Sequence, residues 1–105
     1  ELVDSRAMKL ERSILKTVLI LWQSKTLMSA KAVAFATREL EKIKEESEFS
    51  PRKCGWYLRE KLRLKVARLP SGNHPYGVLR NEYNKKRIQR LIKVYDLKKE
   101  EIEGR

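Results

Sequence analysis

The hydrophobic period of this chain changes abruptly after Leu62, and few folds accommodate such a change. Ahead of it Cys54, Tyr57, Leu58 and Leu62 recur at i, i+3, i+4 and i+8, the spacing of one helix face. Beyond it Leu64, Val66 and, less regularly, Leu69 alternate with Arg63, Lys65 and Arg68, the period-two pattern of a half-buried strand. Ser50-Pro51 opens the helix, because Ser caps and Pro takes the first helical position, where its missing N–H is not needed. The cluster Pro70-Ser-Gly-Asn-His-Pro75 turns the chain, and Tyr76, Val78 and Arg80 read as a returning strand. A helix over 50–62 is therefore expected to feed directly into a β-hairpin with a loop of roughly six residues. Gly55 disfavours the middle of this helix by roughly 1 kcal/mol relative to Ala, and is expected to permit a close approach by another helix or a ligand backbone.

The flanking segments are helical in pattern. Leu10, Ile14, Val18, Leu21 and Trp22, widened by Leu15 and Leu19, predict a helix from about 8 to 23. Thr26-Leu27-Met28 fits a turn or a brief strand. Ser29 is a good N-cap, with Met28 placed to staple onto Val33, and a second helix is expected to run to about 46. Its buried stripe reads as Val33, Ala36, Leu40 and Ile43, with Phe35 nearby. Asn81 or Asn84 can cap a last helix carrying Ile88, Leu91, Ile92 and Tyr95, up to about Leu97. The expected fold is mainly α with a small β-hairpin (α+β), in the order α-(β)-α-α-β-β-α, which is the winged helix-turn-helix plan.

Length and ends set the domain reading. A chain of 105 residues suits one domain, taken as 8–99. Residues 1–7, ELVDSRA, read like a translated cloning polylinker; 100–105 read as a flexible tail, within which Ile102-Glu-Gly-Arg105 matches a common protease-site linker. The single cysteine, Cys54, excludes an intrachain disulfide and points to a reducing compartment. No apolar run reaches the roughly 18 residues that would span a bilayer, and no signal peptide is visible. A cytoplasmic, nucleoid-associated location is expected. The abundance of Lys, Arg, Glu and Leu is compatible with a thermophilic source.

Charge locates the function. Residues 1–50 hold nine Lys/Arg and eight Asp/Glu, a net of +1, whereas residues 51–99 hold fifteen against three, a net of +12. A charge serving solubility alone would be spread evenly. This one belongs to the helix–hairpin half and would attract a polyanion.

The residues SPRKCGWYLR, followed by Arg68, Gly72 and Tyr76-Gly77, are similar to the winged-helix domains that end many replication helicases and helicase-primases of plasmids and viruses. Small archaeal winged-helix DNA-binding proteins are also similar. The helicase domains often read Ser/Thr-Pro-Arg-x-x-Gly-x-x-Leu-(Arg/Lys), then a basic strand, a Gly and a Gly-Tyr pair. This chain reverses the pair to Tyr76-Gly77 and has no Gly after the helix at 50–62. About 30 residues are covered. The resemblance implies DNA binding, in transcription regulation or as a replication-associated module. No ATPase motif is present, so a replication role would be that of a detached or independent module.

The expected contacts with double-stranded DNA follow from the docking of such a helix, whose N-terminal residues meet base edges in the major groove. Ser50, Arg52 and Lys53 occupy that end. Arg52 can grip a guanine bidentately or hold a phosphate, while Lys53, Arg59 and Lys61 are expected on phosphates, which set register but not sequence. Trp56 is expected to be partly buried, with contact to a thymine methyl or a sugar as the alternative. The wing would supply Arg63, Lys65, Arg68, Ser71, Asn73, His74 and Arg80 over 63–80, and the last helix Lys85 and Lys86, with Arg87, Arg90 and Lys93 beside them. The cations of this last helix are equally well read as the solvated outer face of a packing helix.

No catalytic residue, metal ligand set, cofactor or small-molecule substrate is expected. His74 and Cys54 are too few for a zinc site and lack an orienting partner for nucleophilic chemistry. A homodimer through terminal helices, using Leu15, Leu19 or Tyr95, is a further expectation. Two other function classes compete: an RNA-binding, ribosome-associated winged helix, which exposed Trp56 or Tyr76 would favour, and a winged-helix protein-interaction module.

Overall fold

A computed structural model describes residues 5–70 and 75–98, with side chains from Lys9 onward. Its elements are α1 (Ser5–Gln23), α2 (Ala30–Glu41), a 3-10 turn (Glu46–Glu48), α3 (Pro51–Trp56) continuing into a π-helical turn (Tyr57–Lys61), β1 (Val66–Arg68), β2 (Tyr76–Val78) and α4 (Glu82–Val94). The architecture is α+β, mainly helical with one two-stranded antiparallel hairpin among the described residues. α1 begins at Ser5, three residues ahead of its expected start. The expectations for residues 1–4, 71–74 and 100–105 lie outside the described residues.

Three helix starts follow their sequence signals. Ser29 Oγ accepts the Ala32 N–H at 3.0 Å, Ser50 Oγ the Lys53 N–H at 3.2 Å, and Asn81 Oδ1 the Asn84 N–H at 2.8 Å. The helix ends follow expectation at Gln23 and Lys61 but not at α2, and they use no glycine cap. Lys25, Lys42, Arg63 and Asp96 each adopt a left-handed conformation, with φ of 60°, 58°, 56° and 53°. Behind α1, α2 and α4 the next N–H closes a bond five residues back: Thr26 to Leu21 at 3.0 Å, Ile43 to Arg38 at 2.9 Å and Leu97 to Ile92 at 3.0 Å. These are Schellman caps built without glycine. Behind the π turn, Leu64 reaches back to the Leu58 carbonyl at 2.9 Å, one residue further. The cap at Lys42 is why α2 stops at Glu41 and not near 46.

One core joins all of these elements. Ile14, Leu15, Val18 and Leu19 of α1 meet Met28, Val33 and Ala34, then Phe49, Cys54, Leu58, Leu62 and Leu64, and finally Val78, Ile88, Leu91 and Leu97. The inward set expected for the third helix is confirmed, with Cys54, Leu58 and Leu62 fully buried and Tyr57 half-buried. The stripe of α2 is corrected. Ala30, Val33, Ala34 and Thr37 are buried, whereas Leu40 is 44% exposed and Phe35 57% exposed. Small residues and a hydroxyl face α1, where Thr37 Oγ1 bonds Thr17 Oγ1 at 3.2 Å, so the larger Leu40 is turned outward. Leu15 and Leu19 lie in the core of the single chain and have no surface to offer a second copy. Half-buried Tyr95 donates its hydroxyl to the Glu11 carboxylate, tying α4 to α1.

The hairpin pairs Val66 with Val78, Ala67 with Gly77 and Arg68 with Tyr76, and the Leu69 N–H extends it to the Pro75 carbonyl at 2.7 Å. The stretch before α2 adds a single bridge, Ser29 to Gly77, with the Val78 N–H donating to the Met28 carbonyl at 2.9 Å. The hairpin foot is thereby stitched to the start of α2. Gly77 makes this possible, since a Cβ there would stand 2.2 Å from the Met28 carbonyl oxygen and 2.6 Å from the Ser29 Cα. Gly55 differs. A Cβ there would meet only the Arg59 guanidinium at 3.4 Å, so the expected close approach of another helix is not found. Among the described residues no helix is long and apolar enough to cross a membrane.

Candidate nucleic-acid interface

Burying Cys54, Leu58 and Leu62 turns the opposite side of the same helix to solvent. Arg52, Lys53, Trp56, Arg59, Glu60 and Lys61 are all exposed. Within this run the helix loosens to i→i+5 bonding, as the Leu62 N–H reaches the Tyr57 carbonyl at 2.9 Å. Among the described residues, Arg52, Arg59, Lys61, Arg63 and Lys65 form no ion pair, so their charge is not neutralised within the protein. Lys53 Nζ has a long contact of 3.4 Å to the Glu48 carbonyl.

Aromatic rings interleave with these cations. Trp56 is 44% exposed, Tyr76 40% and Tyr83 48%, so each presents part of a ring to solvent within the cationic half. Lys61 Nζ lies 5.5 Å from the Trp56 ring centroid, and Lys65 Nζ lies 4.9 Å from that of Tyr83. Trp56 also stands edge-on to Tyr57 at 5.2 Å. The partial burial expected for Trp56 therefore comes with a substantial exposed surface.

The wing residues divide. Arg63, Lys65 and Arg68 are exposed along the stretch entering and forming β1. Ser71, Asn73 and His74 lie outside the described residues. Arg80 has a different task from the one expected. Its Nη1 donates to the Trp22 carbonyl at 2.8 Å, and its Nη2 to the Leu21 and Thr26 carbonyls at 2.9 and 2.7 Å. The guanidinium also lies 5.4 Å from the Trp22 ring centroid. Arg80 is thus the clamp on the C-terminal end of α1, with its donors turned to backbone.

Asn84, read from the sequence only as an alternative cap, is fully buried. Its Oδ1 accepts the Lys65 N–H at 2.8 Å, and its Nδ2 donates to the Lys65 and Leu79 carbonyls at 2.9 and 2.7 Å. This side chain locks the foot of the hairpin to α4. The only sequence signal was a polar residue on the otherwise apolar 84–88–91 face. Lys85 and Lys86 are exposed on α4, as are Arg90 and Lys93, while Arg87 is half-buried and bonds the Leu62 carbonyl through Nε at 3.0 Å.

Neither titratable outlier is a nucleophile in waiting. Burial pushes the Cys54 thiol up to about 12, only partly opposed by Arg38, so it stays protonated. Burial, with the Glu11 carboxylate as hydrogen-bond acceptor and negative charge, raises Tyr95 to about 12. What this half of the molecule assembles is a cationic helix face and a cationic strand, studded with exposed rings and held rigidly by Asn84, Arg80 and the Gly77 contact. No protein-family model, curated protein or solved structure matches the chain.

Proposed function

We propose that this protein is a winged helix-turn-helix module that binds double-stranded DNA, with α3 and its π turn in the major groove and the hairpin laid along the backbone or minor groove. The observation that carries the reading is the single outward face of residues 52–61, where Arg52, Lys53, Arg59 and Lys61 stand together, continuous in sequence with Arg63, Lys65 and Arg68. The winged plan is supported by the single bridge from Ser29 to Gly77, which lies just after the Thr26-Leu27-Met28 stretch read as a turn or brief strand. Arg52 reads a base or grips a phosphate; Lys53, Arg59 and Lys61 hold phosphates. The module acts as a binding protein and not an enzyme, in transcription regulation or replication, within the nucleoid.

A second reading is favoured by one observation. The exposed rings of Trp56 and Tyr76 are what an RNA-binding surface would use, because stacking replaces groove reading on A-form helices. A salt titration at matched probe length separates the two. Duplex DNA affinity should fall with a log–log slope of about −0.9 per neutralised phosphate, and duplex should outcompete structured RNA at one fixed salt concentration. Preference for RNA in that competition replaces the first reading with the second. Arg52→Ala should cost about 1–3 kcal/mol on the preferred sequence if it reads a base, and equal weakening on all sequences reduces it to a phosphate contact.

A further inference from the structure

The cationic surface does not stop at the hairpin. Tyr83, Lys86, Arg87 and Arg90 recur at i, i+3, i+4 and i+7 on α4, flanking the buried Asn84, Ile88 and Leu91, and they line a shallow cleft of about 210 Å³. The cleft is fastened to the end of the candidate recognition helix. Arg87 Nε donates to the Leu62 carbonyl at 3.0 Å, the Tyr83 hydroxyl donates to the Arg63 carbonyl at 3.4 Å, and the Lys65 ammonium sits over the Tyr83 ring. Among the described residues Lys86, Arg87 and Arg90 form no ion pair. Three unneutralised cations therefore converge on one concavity with an aromatic wall, held in register with the π turn by two backbone carbonyls. Such a group suits a tetrahedral dianion or a phosphodiester, which a guanidinium grips by paired N–H donors and an ammonium by charge.

We infer that this α4 cleft is a second phosphate subsite, taking backbone phosphates of the same duplex whose groove receives α3; the inference rests on the DNA-binding reading above. It separates the α4 cations into two sets. Lys86, Arg87 and Arg90 belong to the footprint, whereas Lys85 lies off this face and contributes only general charge.

The test compares salt titrations of duplex affinity for three proteins. These are the unaltered chain, a Lys86→Gln/Arg90→Gln variant, and a Lys31→Gln/Lys44→Gln variant that loses the same charge from exposed positions in the near-neutral half. Thermal melting of each checks that the fold is retained, which these exposed positions allow. The cleft variant should flatten the log–log slope by about 1.8, so that its loss of affinity between about 50 and 200 mM salt is roughly tenfold smaller, while the control keeps the original slope. An unaltered slope in the cleft variant, or equal flattening in both variants, overturns the subsite and leaves the DNA-binding reading standing. A cleft whose amide shifts respond to inorganic phosphate while the duplex slope stays unchanged is a small-anion site, which also overturns it. If the unaltered chain itself has no salt-dependent duplex affinity, the underlying reading fails first.

Discussion

Gly55 and Gly77 mark two regions that are constrained in opposite ways. Around Gly77, at the hairpin foot, the backbone leading into α2 leaves no room for a methyl group, the Met28 oxygen being 2.2 Å from where it would go. Around Gly55, on the helix at 51–61, the nearest atom to such a methyl group is the mobile end of Arg59, and the neighbouring cations and the Trp56 ring face solvent. The difference separates the part that is built from the part that is presented. The foot makes the hairpin, α2 and α4 one rigid frame, and the helix face is left free to meet something else.

Four substitutions break or sharpen this contrast. Gly77→Ala should be the most damaging, on the order of 4 kcal/mol, because backbone and not a flexible side chain must give way; a chemical-denaturation midpoint close to that of the unaltered chain would contradict the close approach. Asn84→Ala should cost about 3 kcal/mol by stranding the Lys65 N–H and two carbonyls at the foot. Hydrogen exchange at Lys65 should rise more than at α1 amides in that variant, and uniform change across the chain would count against a local lock. Arg80→Ala should cost about 1–2 kcal/mol by uncapping three carbonyls at the end of α1. Its duplex affinity, corrected for stability, should stay close to that of the unaltered chain, whereas a large loss would restore Arg80 to the contact set. Gly55→Ala should be the mildest and opposite in sign, raising stability by roughly 0.5–1 kcal/mol, since helix propensity improves and only the end of the Arg59 side chain, at 3.4 Å, meets the methyl group. Raised stability with lost DNA affinity would mean that a ligand backbone needs the space the added methyl group fills.

The sequence was legible where physics is local. The 3.6-residue stripes of α1, α3 and α4 and the three N-caps at Ser29, Ser50 and Asn81 arise from neighbours along the chain and reappear in the fold, whereas the alternation from Leu64 to Leu69 is broken, Val66 and Ala67 both being half-buried. Helix ends were legible in part: α1 stops at Gln23 and the third helix at Lys61, close to expectation, whereas α2 stops at Glu41 and not near 46, and α4 at Val94 and not near 97, because the usual signal is a glycine in the left-handed position and there Lys42 and Asp96 take it.

The remaining misreadings come from contacts between distant residues. The phase of α2 was set by Thr37 meeting Thr17 across the helix pair, which favours a hydroxyl over Leu40 in the interface. Arg80 looked like one more wing cation until its partners, more than fifty residues earlier, were in view. For the candidate site, the outward positions of Arg52, Lys53, Trp56, Arg59 and Glu60 were readable from the buried set alone, and Lys61 is exposed beside them. The α4 cleft was not, because it depends on Arg87 and Tyr83 reaching the Leu62 and Arg63 carbonyls.

The most direct trial of the division between frame and presented face is an amide NMR titration of the full chain with a short duplex at about 0.15 M salt. Shifts concentrated in residues 50–68 and 76–90, with α1 and α2 nearly still, are the predicted outcome. Shifts centred on α1 and α2, or none at a duplex excess, would contradict it.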